Sequence, residues 1–79
     1  MSGEINSEVH DVQSAFRRLR ERYGNGRVIE LDGLSVEFQD WWFNVRPSNT
    51  ESLVRLNLEA RTRDRMQQKR DEVVGIIRA

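Results

Sequence analysis

The sequence predicts an α+β domain, a four-stranded antiparallel sheet with two helices on one face, in the order α-β-β-β-β-α. Near both ends of the chain, apolar residues recur at spacings of three and four, the period of a helix with one buried side. In the middle of the chain, apolar and polar residues alternate, as in antiparallel strands that have one face on a core. Helices that cover one face of such a sheet give the α+β layer arrangement.

Length and composition limit the possible functions. With 79 residues, of which 37% are hydrophobic, the chain is expected to be one small domain or a fragment of something larger. It has no Cys and one His, which excludes a disulfide framework, thiolate chemistry and a His-based zinc cluster. A core of this size supplies about 3–5 kcal/mol, so we expect no complete two-substrate active site within the chain.

The charges balance overall but not along the chain. Residues 1–40 carry 5 basic and 8 acidic side chains, and residues 41–79 carry 8 basic and 5 acidic ones. A net charge of zero argues against a general nucleic-acid binder but allows a local cationic site. No apolar run reaches the roughly 20 residues of a membrane span, and no basic segment precedes an apolar one at the start. We therefore expect a cytoplasmic chain without a membrane or nucleic-acid partner.

The first helix is predicted to follow a short leader, residues 1–6. Ser7 is expected to be its N-cap, with Glu8 and Asp11 in the first turn, where negative charge suits the helix dipole. Residues 24–26, Gly-Asn-Gly, tolerate positive φ and end the helix. Its apolar stripe consists of Val9, Val12, Phe16, Leu19 and Tyr23.

Four strands are predicted at residues 27–31, 34–38, 41–46 and 53–60. Asp32-Gly33 is a two-residue hairpin signal, and residues 39–40 form a second possible turn. A register that keeps apolar residues opposite each other pairs Ile29 with Val36, Val36 with Phe43, Phe43 with Leu56 and Val45 with Val54. The other face of this sheet is polar except for Trp42, and it carries Glu37, Gln39, Asn44, Arg46, Arg55, Asn57 and Glu59.

The last helix is predicted to start after Thr62, its N-cap, with Asp64 in the first turn. Lys69 lies on its inward side and is expected to contribute only its apolar stem to the core. The other members of this inward stripe are Met66, Val73, Ile76 and Ile77.

The segment that joins the last two strands, residues 46–51, concentrates groups that can bind an anion. Arg46 offers a planar fork of donors suited to phosphate, and Ser48, Asn49 and Thr50 add neutral donors. Backbone N–H groups in a turn can also form an anion-binding nest. Ser, Asn and Thr are common in turns, however, so on residue type alone a structural loop is the simpler interpretation.

A family resemblance favours the anion-binding interpretation of this loop over the structural one. Residues 46–51 and the strand at 53–60 resemble the C-terminal, fourth domain of the α-D-phosphohexomutases, closest to bacterial phosphomannomutase/phosphoglucomutase. Residues 32–34 and 40–45 are similar to that family's hairpin, and residues 2–6 to the segment that links its third and fourth domains. The resemblance implies an interdomain linker remnant at residues 1–6, a domain at residues 7–79 and a TATA-box-binding-protein-like topology.

The resemblance also implies a role for the loop. By position, Arg46, Ser48, Asn49 and Thr50 would hold the phosphate already on the substrate, and Arg55 is a possible secondary contact. The full enzyme would interconvert mannose or glucose 1-phosphate and 6-phosphate by intramolecular phosphoryl transfer through a hexose 1,6-bisphosphate. The chain departs from the family at Ser52, where proline usually follows the glutamate.

Several parts of such an enzyme are expected outside this chain. The resemblance places a phosphorylated serine in the first domain, Mg²⁺ in the second and sugar recognition in the third. The other three domains of the same protein are therefore the expected partners. The chain has no clustered acidic loop for a metal, and we expect it to be inactive as a mutase on its own.

A non-enzymatic protein- or RNA-interaction module is the alternative interpretation. Trp42 could stack on a base from the polar sheet face. Trp41 and Phe43 belong to the core side by parity, which leaves a single exposed aromatic. His10 is expected on the surface, and so are the arginines of both helices, Arg17, Arg18, Arg20, Arg22, Arg61, Arg63 and Arg65.

Overall fold

The computed structural model describes residues 4–30, 33–48 and 51–79, which form a five-stranded antiparallel sheet and two helices. The predicted α+β class is confirmed, with five strands in these ranges instead of four. The strand order in the sheet is β1-β5-β4-β3-β2. In chain order the elements are β1 (Glu4–Glu8), α1 (Val12–Tyr23), β2 (Arg27–Ile29), β3 (Leu34–Glu37), β4 (Trp41–Pro47), β5 (Leu53–Ala60) and α2 (Arg63–Ile77).

Strand β1 is the element that the sequence analysis missed. It pairs with β5, with Ile5 opposite Leu56 and Ser7 opposite Val54. Ser7 is therefore not an N-cap: it is buried, and its hydroxyl oxygen accepts a hydrogen bond from Arg78 Nε at 3.2 Å. One large apolar residue gives too weak an alternation to predict a strand. The predicted division of the chain after residue 6 stays a prediction, although β1 runs across it.

Helix α1 starts later than predicted because Asp11 is its N-cap. The Asp11 carboxylate accepts hydrogen bonds from the Ser14 N–H at 3.2 Å and the Ser14 hydroxyl at 2.8 Å. The helix ends at Gly24 as expected, but with an ordinary right-handed φ of −65°, so the left-handed ending open to Gly-Asn-Gly is not used. Its predicted stripe faces the core, and Ala15 joins the fully buried residues Leu19 and Tyr23.

The strand registers were predicted with mixed success. The β3–β4 register is confirmed, with Val36 opposite Phe43. Strand β2 is offset by one residue, so Val28 and not Ile29 lies opposite Val36, and the Asp32-Gly33 turn falls partly outside the described residues. The β4–β5 register is offset by two, with Phe43 opposite Leu58. A shift of two leaves every side chain on its predicted face.

The core lies between one face of the sheet and the two helices. Tyr23 meets the rings of Trp41 and Phe43 edge-on, with centroids 5.4 and 5.2 Å apart, which confirms the core assignment of both aromatics. Helix α2 begins after Thr62 as predicted, and the Lys69 stem packs inward with Nζ 5.0 Å from the Trp41 ring centroid. Within the described ranges, neither helix is long and apolar enough to cross a bilayer.

Candidate functional site

The candidate loop lies at the end of the β4–β5 hairpin. Pro47 and Val54 form the last residue pair of the two strands. Just beyond them, the Ser48 N–H donates a hydrogen bond to the Leu53 carbonyl at 3.0 Å and closes the base of the loop. Asn49 and Thr50 lie outside the described residues. The loop is thus a hairpin connection whose two ends are fixed by the sheet.

Two arginines face each other across the hairpin beside this loop. Arg46 in β4 is directly opposite Arg55 in β5, and both side chains are exposed on the polar face of the sheet. Directly opposed residues have Cβ atoms about 4.5–5.5 Å apart, and like charges in such a pair repel each other. A bound anion would relieve that repulsion, and guanidinium groups have the donor geometry for a phosphate.

The observed register is what brings Arg55 to the site. In the predicted register Arg46 would have faced Leu53, two residues nearer to the loop. In the structure, Arg55 also lies beside β1, where its Nε is 3.7 Å from Glu4 Oε1. This exposed ion pair is long and offsets only part of the positive charge. Two exposed arginine residues therefore lie on the same face of the hairpin, next to the loop.

Ser48 is half-buried at the base of the loop. Because its backbone N–H is used by Leu53, any nest for an anion has to come from other N–H groups of the connection. Among the predicted site residues in the described ranges, the structure brings Arg46, Ser48 and Arg55 to one end of the sheet.

The start of the chain supports the far side of the loop. The Val9 N–H donates a hydrogen bond to the Ser52 carbonyl at 3.0 Å, directly after strand β1. An open hollow of about 390 Å³ lies at this contact, lined by Glu8, Val9, His10, Glu51, Ser52 and Leu53. His10 is exposed as predicted. The sequence pattern does not predict this support, because the residues before α1 are typical of a leader and a helix cap.

Acidic side chains do not converge on a metal site in the part of the chain that the structure describes. No group of three or more His, Asp or Glu residues is placed there to hold an ion. Several carboxylates are engaged with arginines, such as Asp40, whose Oδ2 lies 3.3 Å from Arg65 Nε.

Comparison with known proteins identifies the family. A sequence profile described as "Phosphoglucomutase/phosphomannomutase, C-terminal domain" matches residues 4–76. The chain belongs to this family. The match begins at Glu4, the first residue of β1, and so includes the strand that completes the sheet. The resemblance inferred from residues 46–60 is thereby confirmed.

Individual relatives agree with this assignment. The chain is 43% identical over 76 residues to a phosphomannomutase of Methanocaldococcus jannaschii, with 96% of this chain and 17% of that protein covered. It is 38% identical over 80 residues to a phosphomannomutase of Escherichia coli, with 98% and 18% covered. A "Probable phosphoglucosamine mutase" of Methanopyrus kandleri is 46% identical over 75 residues, with 95% and 16% covered. The chain thus spans about a sixth of the length of these relatives.

Proposed function

We propose that this chain is the substrate-phosphate-binding domain of a phosphohexomutase. In this proposal the phosphate that stays on the sugar is held by Arg46, Ser48, Asn49 and Thr50. Arg55 is a secondary contact. The observation that carries it is the direct opposition of Arg46 and Arg55 beside the β4–β5 loop, in a chain of the phosphohexomutase family. Two exposed arginines directly opposite each other favour an anionic ligand such as a phosphate.

The proposed mechanism is catalysis by positioning. If the loop holds the phosphate at one end of a hexose phosphate, the hydroxyl at the other end is presented for phosphoryl transfer with little remaining freedom. The whole protein would interconvert mannose or glucose 1-phosphate and 6-phosphate through a hexose 1,6-bisphosphate. In this proposal the other three domains of a cytoplasmic enzyme carry the phosphorylated serine, the residues that recognise the sugar and the Mg²⁺ site. The Mg²⁺ would neutralise charge on the transferred group.

The domain alone is expected to show no mutase activity. Phosphate binding supplies orientation, but the groups that donate and accept the phosphoryl group are proposed to lie in other domains. A coupled assay that follows mannose 1-phosphate and mannose 6-phosphate in the presence of Mg²⁺ and a bisphosphorylated sugar tests this. Turnover by the purified chain would contradict the proposal that the fourth domain only binds.

Ligand specificity tests the binding role directly. An amide NMR titration with mannose 6-phosphate, inorganic phosphate and mannose separates phosphate recognition from sugar recognition. We expect shifts at residues 46–51 and at Arg55 with both phosphate-bearing ligands and no such shifts with mannose. The affinity should be weak, about millimolar, because few contacts have to offset the entropy of association. Equal responses to mannose and mannose 6-phosphate would contradict phosphate recognition.

The exposed side chain of Trp42 supports a second candidate function, an interaction module. Trp42 is 38% exposed on the polar face, far from the loop end of β4. Its direct neighbours across the sheet are Glu37 in β3 and Glu59 in β5. Two flanking carboxylates repel an RNA backbone, so this patch suits a protein partner better than RNA. Loss of a protein partner on Trp42→Ala, with phosphate binding retained, would support this second role.

The TATA-box-binding-protein-like topology implied by the family resemblance is part of this proposal. This topology is supported by the antiparallel strands and by the position of both helices on one face of the sheet. The opposite face is exposed beside the β4–β5 loop. An open face lets the loop and both arginines face a neighbouring domain at the same time.

A further inference from the structure

We propose that Gly33 is a positioning residue for the phosphate site, because it lets the backbone just before β3 lie directly against β4 at Arg46. This inference rests on the proposed function, since it assigns to Gly33 the placement of a residue that binds the ligand. Gly33 lies outside the β4–β5 hairpin that carries the loop, and it is not proposed to contact the ligand.

The backbone around Gly33 leaves no room for a side chain. Gly33 has a φ of 120°, which L-residues with a Cβ rarely adopt. A Cβ atom there would collide with the Val45 carbonyl oxygen and lie 3.2 Å from Arg46 Cα. Since Leu34 pairs with Val45, Gly33 sits beside Arg46 at the end of the β3–β4 ladder. The contact is therefore made by the backbone of the strand that carries the candidate ligand-binding arginine.

The position of this contact connects it to binding. A side chain at residue 33 would have to push the backbone of residue 33 away from β4 or displace β4 at Val45 and Arg46. A backbone shift at Arg46 changes the direction of its Cα–Cβ bond, and the long side chain magnifies that change at the guanidinium group. Binding sites depend on placement within about 0.5 Å, so a small shift is expected to reduce affinity.

Two other glycines provide matched controls. A Cβ at Gly26 would meet Phe38 Cζ at 2.8 Å and Val36 Cγ1 at 2.8 Å, which is also a close contact but with side chains away from Arg46. A Cβ at Gly75, in the exposed part of α2, would meet nothing within 4 Å. Gly26→Ala therefore introduces a smaller steric perturbation, against side chains, at another place, and Gly75→Ala introduces none.

The experiment compares Gly33→Ala, Gly26→Ala and Gly75→Ala with the unmodified chain. The readouts are the Kd for inorganic phosphate and the NMR shifts of the Arg46 amide and Nε–H without ligand. We expect Gly33→Ala to weaken phosphate binding about tenfold or more and to move both Arg46 signals. Gly26→Ala and Gly75→Ala should keep the Kd within about twofold and leave the Arg46 signals in place.

Two results would overturn the inference. One is a folded Gly33→Ala variant with unchanged phosphate affinity. The other is an equal loss of affinity in Gly26→Ala, which would attribute the effect to general destabilisation. If Gly33→Ala does not fold, the same comparison is made in the Gly75→Ala background, in which a stronger helix α2 supports the fold. Failure of the unmodified chain to bind phosphate would instead contradict the proposed function itself.

Discussion

At the scale of single residues, Glu72 joins the two helices. The Tyr23 hydroxyl donates a hydrogen bond to Glu72 Oε1 at 2.7 Å, and Lys69 Nζ lies 3.5 Å from Oε2. Arg22 Nη2 lies 3.5 Å from Oε1. Burial raises the pKa of Glu72, but the Tyr23 hydrogen bond and the two positive charges outweigh burial and lower the pKa below its ordinary value. Burial, reinforced by the bond to Glu72, raises the pKa of Tyr23.

This hydrogen-bonded cluster makes stability depend on pH. A lowered pKa in the folded state means that the ionised Glu72 stabilises the fold fully above its ordinary pKa of 4.5. That contribution is lost as the pH falls through the lower, folded-state pKa. We expect Glu72→Gln to reduce the free energy of unfolding near pH 7 and to flatten its decrease as the pH falls below 4.5. Urea unfolding at several pH values measures this.

Asp71→Asn is the matched control for Glu72→Gln, because Asp71 is the adjacent carboxylate and its side chain is 77% exposed. It should leave the slope of unfolding free energy against pH close to that of the unmodified chain. If Glu72→Gln has the same slope as Asp71→Asn, the cluster does not stabilise the fold through its charge.

At the scale of the elements, Arg18 ties α1 to the end of α2. Its Nε donates to the Ile76 carbonyl at 3.1 Å and its Nη2 to the Ile77 carbonyl at 3.2 Å. These carbonyls belong to the last turn of α2, where positive charge is favourable, and the Ile76 carbonyl also accepts a long hydrogen bond from the Ala79 N–H at 3.4 Å. The sequence analysis had assigned Arg18 to a solvated face, which is wrong: the side chain is part-buried between the helices.

We expect Arg18→Met to destabilise the domain, because two partly buried carbonyls lose a charged donor. The loss should be about 1.5–3 kcal/mol, the range for a hydrogen bond to a charged group. Amide hydrogen exchange should quicken most in the last turn of α2. Arg17→Met, at the exposed neighbouring position, should change stability by less than about 0.5 kcal/mol. Equal effects of the two substitutions would contradict the capping role of Arg18.

An element could be predicted from the sequence where its apolar residues recur at a regular spacing. Helices and central strands have several large apolar residues at a fixed spacing, so their type and inward faces were predicted correctly. Strand β1 is an edge strand that pairs only with β5, and its buried residue is a serine. It therefore lacks the alternation of large apolar residues that would predict a strand. For the site, the loop residues followed from the family resemblance. Predicting that Arg55 lies opposite Arg46 requires the pairing register of β4 and β5. That register depends on how many residues belong to the loop between the two strands.

Strand β1 also supports a prediction about folding. It covers the edge of β5, and Ile5 packs against the core beside Leu56. Deletion of residues 1–8 should therefore expose an edge strand, abolish cooperative thermal unfolding and promote association of chains. Circular dichroism and size-exclusion chromatography measure these effects. A truncated monomer with an unchanged melting temperature would contradict the role assigned to β1.

At the scale of the whole molecule, the open sheet face has two ends of different charge. Arg46 and Arg55 lie at the loop end, and Glu37 and Glu59 flank Trp42 at the other. A net charge of zero conceals this asymmetry. An anion is attracted to one end and repelled by the other, so a phosphosugar would meet the loop end first. Because the arginines are exposed, phosphate affinity should fall as ionic strength rises.

Whether Arg46 binds the phosphate is tested most directly by the Kd of inorganic phosphate for Arg46→Gln, compared with Arg55→Gln and Arg27→Gln. Arg27 is an exposed arginine on edge strand β2 and serves as the control. Our account predicts a loss of about tenfold or more for Arg46→Gln, a smaller loss for Arg55→Gln and none for Arg27→Gln. If Arg46→Gln binds phosphate as tightly as Arg27→Gln, the β4–β5 loop is not the phosphate site.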